Sequence, residues 1–344
     1  VKFESELAPI AAAIKRARTV IASRQTIPIL GCVHITARDT GLRITGTNMD
    51  EWVTVQSDAA VAVPGAVCVD AGLIGAWLQT LPKGALVSAS LIDNRLAVTA
   101  GRATASFAVM DAKDYPSPVT PDAGVELIDA ARGLAMCLPF ASSEETRYYL
   151  KGVAINRGHA VATDGHRLCS VDIGADADGA VIIPTSGVQQ IVQGSPAARL
   201  WVTDTMWRCE DAGVVAGGKL IEGTFPDWTR LMPVADASGT VDADALAGAV
   251  ATVSVSGDDR ASCVKMVAAD GEIELSCTGS AMTATGAVSY DGSPFELGIN
   301  GKYADAALAV FTGRCVSIAV GEGKAVMTSD ALHGVRVLVM GMRV

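Results

Sequence analysis

Aromatic residues make up only 5% of this 344-residue chain, and histidine occurs four times, as His34, His159, His166 and His333. No HExxH pattern contains them, and the eight cysteines include no CxxC pair. Structural zinc sites and disulfide frameworks both depend on clustered spacing, so no metal is expected and the cysteines read as buried free thiols. The glycine-rich signatures GxGxxG and GxxxxGK[ST] are also missing, which leaves a bound nucleotide without support, and no cofactor is expected. No uncharged apolar run of about 18 residues occurs, so a membrane-spanning helix is not expected. The opening VKFESELAPI carries charges where a signal peptide would be apolar, and the expected compartment is the reducing cytoplasm.

What the chain does have is bulk and small apolar residues. Half of it is hydrophobic, with Ala, Val and Gly dominant, and its length exceeds what one ordinary core supports. The net charge of −10 is unevenly spread. Lys+Arg against Asp+Glu is 11 to 10 over residues 1–118, 9 to 14 over 119–233 and 7 to 13 over 234–344. A protein holding nucleic acid by affinity alone would need more positive charge than this.

The most informative feature is an internal repeat. Strands ending in Thr plus a small polar residue or Gly occur at RITGTN, AVATDG and ELSCTG, with Thr47, Thr163 and Thr278 spaced by 116 and 115 residues. After each comes a strand running into a helix, aligned on Gly72, Gly187 and Tyr303 at steps of 115 and 116. Before each lies another helical segment, starting near Leu7, Leu127 and Leu246. In the first of these, Leu7, Ile10, Ile14, Ala17 and Ile21 form an apolar stripe of helical period, with Lys15 and Arg16 off it. Alternating segments such as CVHITA, LRITGT and AVAVPGAV read as strands, punctuated by turns at RDTG and IDNR. DAKDYPSPVTPDAG (111–124) and MPVADASGTVD (232–242) read as linkers. The fold expected is therefore α+β: three tandem copies of one helix/antiparallel-sheet domain, bounded as 1–118, 119–233 and 234–344.

Such units can build a ring. A domain of about 115 residues is roughly 35 Å across, and six in a hexagon leave a hole of about the same width. B-DNA, roughly 20 Å wide, would pass through it. Three domains per chain then require two chains joined head to tail.

Several strings resemble one family. TRYYLKGVAI (146–155) with VATDGHRL (161–168), KLIEGTFPDWTRLMP (219–233), the ending VLVMGMRV (337–344) and RQTIPILGCVHI (24–35) are similar to segments of the bacterial DNA polymerase III beta subunit. The resemblance runs through the whole chain in order. It implies the DNA clamp fold, in a homodimeric ring of six domains with helices lining the hole. It implies a non-enzymatic processivity factor that encircles duplex DNA without reading its sequence. A linked ring stays on DNA without strong phosphate contacts, which accommodates the acidic net charge. The implied protein partners are polymerase III subunits, the clamp loader and repair proteins, bound through short peptides.

Carried over residue by residue, one wall of the family's peptide cleft would be Leu150, Thr163, Gly165, His166, Arg167 and Leu168, extended by Pro226, Arg230 and Leu231. Leu338, Met340, Met342, Arg343 and Val344 would supply the C-terminal wall, with Asn300 and Tyr303 nearby. Arg24 matches the family's DNA-contacting arginine, and Lys15 and Arg16 would join it. Gly341 stands where the family usually has Pro, which implies a more mobile tail. Thr185 and Ser186 replace a frequent basic pair, and Glu144 stands where an uncharged contact belongs. These departures leave open a paralogue that binds partners but loads poorly on DNA. A third reading is a repeat-built hydrolase in which Asp164 orients His166 as base. It lacks an assignable nucleophile, and a turn is the plainer reading of Thr163–Arg167.

Overall fold

Six helices occur among the described residues, two for each copy of the repeat: α1 (Leu7–Ala17), α2 (Ala71–Gln79), α3 (Ala130–Cys137), α4 (Thr185–Val192), α5 (Ala243–Ser254) and α6 (Gly301–Leu308). The chain is described from a computed structural model covering residues 1–121, 124–128, 130–174, 179–195, 198–256 and 263–343. The stripe of α1 buries Leu7, Ile10, Ile14 and Ala17 as its period requires. Ile21 lies beyond the helix, after a 3-10 turn at Arg18–Val20. Side chains cap the starts of α2 and α5, where Asp70 accepts from the Leu73 N–H at 2.7 Å and Asp242 from the Ala245 N–H at 2.8 Å, whereas Glu6 before α1 makes no such bond. None of the described helices is long and apolar enough to cross a membrane.

The chain forms two compact units, Val1–Leu127 with Gln189–Leu220, and Ile128–Val188 with Ile221–Val344. The first holds an antiparallel sheet of 13 strands. At its centre Cys32–Arg38, Gly41–Thr47 and Glu51–Ser57 are consecutive neighbours, followed by Val214–Lys219 and Met206–Asp211. α1 lies directly on one face, where a Cβ on Gly46 would come within 2.0 Å of the Ala17 carbonyl oxygen. Ile35, Ile44 and Val53 point to that side and are fully buried. His34, Thr45 and Thr54 therefore point to the other.

The second unit carries the other 13-stranded sheet. Its C-terminal strand Val335–Met342 has three partners. It pairs with Arg167–Asp172, with Lys324–Thr328 and, through its last residues, with Phe295–Asn300.

Two linker expectations change on folding. Ala237–Asp242, the second half of the 232–242 segment, is a strand paired with Cys315–Gly321. In the 111–124 segment, of which residues 122 and 123 lie outside the described set, Tyr115 is buried. Its hydroxyl donates to the carbonyls of Cys32 (3.3 Å) and Thr45 (3.2 Å). Composition signalled a linker in both places; strand pairing overrode it in 232–242, and burial of the Tyr115 ring with its hydroxyl on two carbonyls overrode it in 111–124. All eight cysteines are free, six of them buried; Cys263 is half-buried and Cys315 exposed, against the expectation for those two.

Candidate functional site

The turn after the strand His159–Thr163 is built from its own side chains. Thr163 Oγ1 donates to the Arg167 carbonyl (2.7 Å) and accepts from the Gly165 N–H (3.0 Å). Asp164 Oδ1 accepts from the N–H groups of His166 (2.9 Å) and Arg167 (3.1 Å). The first copy repeats this atom for atom. Thr47 Oγ1 donates to the Glu51 carbonyl and accepts from the Met49 N–H, while Asn48 Oδ1 accepts from Asp50 and Glu51. Met49 and Gly165 share positive φ, at 78° and 92°. A turn that forms equally without histidine is scaffolding, and Asp164 does not orient the His166 ring.

Arg167 locks this turn to its surroundings. Its Nε donates to Asp164 Oδ2 at 3.0 Å and an Nη to the Pro139 carbonyl at 2.9 Å. The guanidinium lies 5.1 Å from the ring centroids of both Phe140 and Tyr303. The imidazole of His166 stacks on Tyr303, centroids 5.7 Å apart at 14°. Cys137, one helical turn below Phe140, is no nucleophile, since burial raises its thiol pKa well above the ordinary value. The hydrolase reading therefore lacks both base geometry and nucleophile here.

Beyond the turn lies an apolar floor. Leu168 sits opposite Leu338 across the strand pair, and the Met340 N–H donates to the His166 carbonyl at 2.8 Å. Leu150, Leu168, Leu338, Phe225 and Trp228 are buried together, with Leu231, Met232, Tyr149, Ile221 and Met340 half-buried around them. Pro226 and Arg230 are exposed, the latter paired with Asp227 at 3.1 Å. Asn300 caps α6 by accepting from the Lys302 N–H at 2.9 Å, which sets Tyr303 on the first turn of that helix. Met342 faces Gly298 across the last strand pair, Arg343 is exposed, and Val344 lies outside the described residues.

The predicted residues thus fall into three classes of exposure. Leu150, Leu168 and Leu338 are buried and form the base, and Thr163 is buried within the turn, whereas Gly165, His166, Pro226, Arg230 and Arg343 are exposed and Arg167, Leu231, Tyr303, Met340 and Met342 half-buried. Sequence reasoning passed over Tyr149, Ile221 and Met232, which alternation alone does not distinguish from core, and over Phe140, whose ring holds Arg167. The mobile-tail expectation for Gly341 is overturned. Its N–H donates to the Gly323 carbonyl at 2.8 Å, and it pairs with Ile299 inside the strand.

The three predicted basic residues differ in situation. Arg24 and Lys15 are exposed. The Arg16 guanidinium is taken up by the protein, donating to the Gln190 side chain, the Gln190 carbonyl (2.8 Å), Gln193 (3.1 Å) and Thr19 (3.2 Å). Burial lowers its pKa from the ordinary arginine value. A free phosphate contact by Arg16 would have to break this cluster, so it reads as a structural clamp. Glu144 is paired with Arg147 at 3.3 Å.

Comparison with known proteins gives concordant matches. Residues 1–119 match the family model of the DNA polymerase III beta subunit N-terminal domain, and residues 137–227 that of its central domain. The beta sliding clamp of Caulobacter vibrioides is 32% identical over 336 residues, covering 88% of each chain. That of Escherichia coli K12 is 26% identical over 327 residues, again with 88% of each covered. Among solved structures, the Caulobacter crescentus pol III beta superposes with a TM-score of 0.91 at 28% identity, covering 100% of both chains.

Proposed function

Because the chain belongs to the bacterial DNA polymerase III beta subunit family, we propose that it is a DNA sliding clamp: a non-enzymatic ring subunit that tethers a polymerase to duplex DNA. The observation that carries this is the double match, in sequence to beta sliding clamps over 88% of the chain and in fold to one solved at 28% identity over all of it. Three domains, 1–118, 119–233 and 234–344, repeat in each chain, and two chains close head to tail into six. The ring works in the cytoplasm, where its DNA is. The deciding experiment is loading onto nicked circular DNA with a matching clamp loader, alongside native mass. A dimer that stays on circles and slides off after linearisation is expected. A chain that stays monomeric at micromolar concentration, or binds both DNA forms alike, would refute the ring. Dimers that capture partner peptides yet fail to load would favour the poorly loading paralogue, which the inward commitment of Arg16 makes worth testing.

Arg24 and Lys15 supply the phosphate contacts in this reading. Arg24→Ala is expected to weaken loading and flatten its salt dependence by about one counterion, with melting temperature unchanged because the side chain is exposed. Loading that keeps the wild-type salt slope would remove Arg24 from the contact set.

Polymerase, loader and repair-protein peptides would dock on the floor of Leu168 and Leu338, with Met340, Met342 and Leu231 adapting to their side chains and Arg230 and Arg343 at the rim. A peptide placing one Leu and one aromatic ring there gains about 1.5–3 kcal/mol from each before ordering costs, consistent with micromolar exchangeable binding. Met342→Ala is expected to weaken a labelled clamp-binding peptide by about 1–2 kcal/mol while leaving the mass of the assembly unchanged. Equal affinity in the two proteins would move the site elsewhere.

A further inference from the structure

The end of α1 and the turn after it carry three cations, Lys15, Arg16 and Arg18, and they differ in what holds them. Arg16 is committed to Gln190 and its neighbours. Arg18 is exposed, and among the described residues its guanidinium has no hydrogen-bond or ion-pair partner.

The Arg18 side chain nevertheless has a fixed place. It leaves α1 and lies over α2 at Gly75. A Cβ built on that glycine would stand 2.8 Å from Arg18 Nη1, 3.6 Å from Cδ and 3.7 Å from Cζ, and these are its three nearest neighbours. Gly75 is buried in the interior of a nine-residue helix, where alanine is the better helix former. The helix forgoes that gain, and the space a methyl group would take holds the guanidinium instead. An arginine already laid down in this way loses less freedom when it meets an anion than one waving in solvent.

The surroundings favour an anion. Lys15 and Arg18, one turn apart, line a single cleft of about 830 Å³ with Ser23 and Gln25, the two residues that flank Arg24. Asp70 is the only carboxylate in that lining, and its Oδ1 already accepts the Leu73 N–H at 2.7 Å. Two cations without an opposing carboxylate are unusual in a chain of 37 acidic and 27 basic residues. Like charges one turn apart repel, and a phosphate group between them offsets that repulsion.

We propose that Arg18 is a DNA-phosphate contact of this chain, in the role along α1 that the sequence suggested for Arg16, with Gly75 as the seat that presents its guanidinium. This role rests on the sliding-clamp reading, in which helices line the hole and duplex DNA passes through it.

The test is loading onto nicked circular DNA by a matching clamp loader over a range of salt, for wild type, Arg18→Gln, Arg18→Lys and Arg38→Gln. Loss of one phosphate partner reduces the slope of log affinity against log salt by about 0.9. Arg18→Gln should flatten the loading slope by about that much, with melting temperature unchanged because the side chain is exposed. Arg18→Lys retains the charge and should retain the slope. Arg38→Gln makes the same change of net charge at an exposed hairpin position, on the sheet face turned away from α1, and should also retain it. A wild-type slope in Arg18→Gln, equal flattening by Arg38→Gln, or a slope in Arg18→Lys as flat as in Arg18→Gln would each overturn the role of Arg18 while leaving the clamp reading intact. A wild-type protein that never loads would overturn the clamp reading itself, and the role of Arg18 with it.

Discussion

Gly341→Pro is expected to destabilise the second unit by at least about 3 kcal/mol and to weaken partner-peptide binding. The substitution looks favourable from sequence, since the resemblance places proline there. In the folded chain the Gly341 N–H donates to the Gly323 carbonyl at 2.8 Å, and proline has no N–H to give. A Cβ at this position would stand 2.4 Å from that same carbonyl oxygen and 2.8 Å from Leu297 Cδ1. The first neighbour is backbone and cannot swing aside. The strand end carrying Met340 and Met342 would therefore be pushed off Phe295–Asn300, taking the half-buried wall of the peptide floor with it. Calorimetric melting and peptide titration of wild type, Gly341→Ala and Gly341→Pro separate the two causes. The alanine variant retains the donor and meets only the clash, so it should fall between. A proline variant that melts with wild type and binds more tightly would show that the strand end rearranges freely and that the geometry described here is not what holds it.

Arg167→Ala should be nearly as damaging, lowering stability by about 2–4 kcal/mol. The arginine and Asp164 side chains are 16% and 17% exposed, so solvent screens their 3.0 Å contact only partly. Truncation also strips the Pro139 carbonyl of its donor and removes the cation from between the Phe140 and Tyr303 rings. Arg167→Lys is the informative companion. Lysine can restore the ion pair, but a single ammonium cannot hold Asp164 and Pro139 while stacking on two rings, so it should recover less than half of the loss. A drop of several degrees in melting temperature for alanine, with lysine between, is the expected result. If alanine melts like wild type, the turn is held by Thr163 and Asp164 alone. The first copy makes that outcome conceivable, because the same side-chain bonds close its turn at Thr47–Glu51.

The local pattern of this protein was written plainly in its residues. The 3.6-residue stripe dictates α1, and alternation dictates the strands. The recurrence at Thr47, Thr163 and Thr278 announces a repeated unit because each copy must bury the same faces. Thr163–Arg167 could be read as a turn because its bonds lie within five residues. What sequence could not decide were properties created by distant segments. Leu150 and Leu168 lie 188 and 170 residues from Leu338, and only the pairing of Leu168 with Leu338 makes a floor of them. Arg16 looked like a solvent-facing cation until the fold set Gln190 against it. Gly341 looked like a loosened proline until Gly323 proved to need its N–H and to exclude a Cβ. In each case periodicity names the face on which a side chain leaves its own element. What stands against that face is a matter of tertiary packing, which no window of the chain contains.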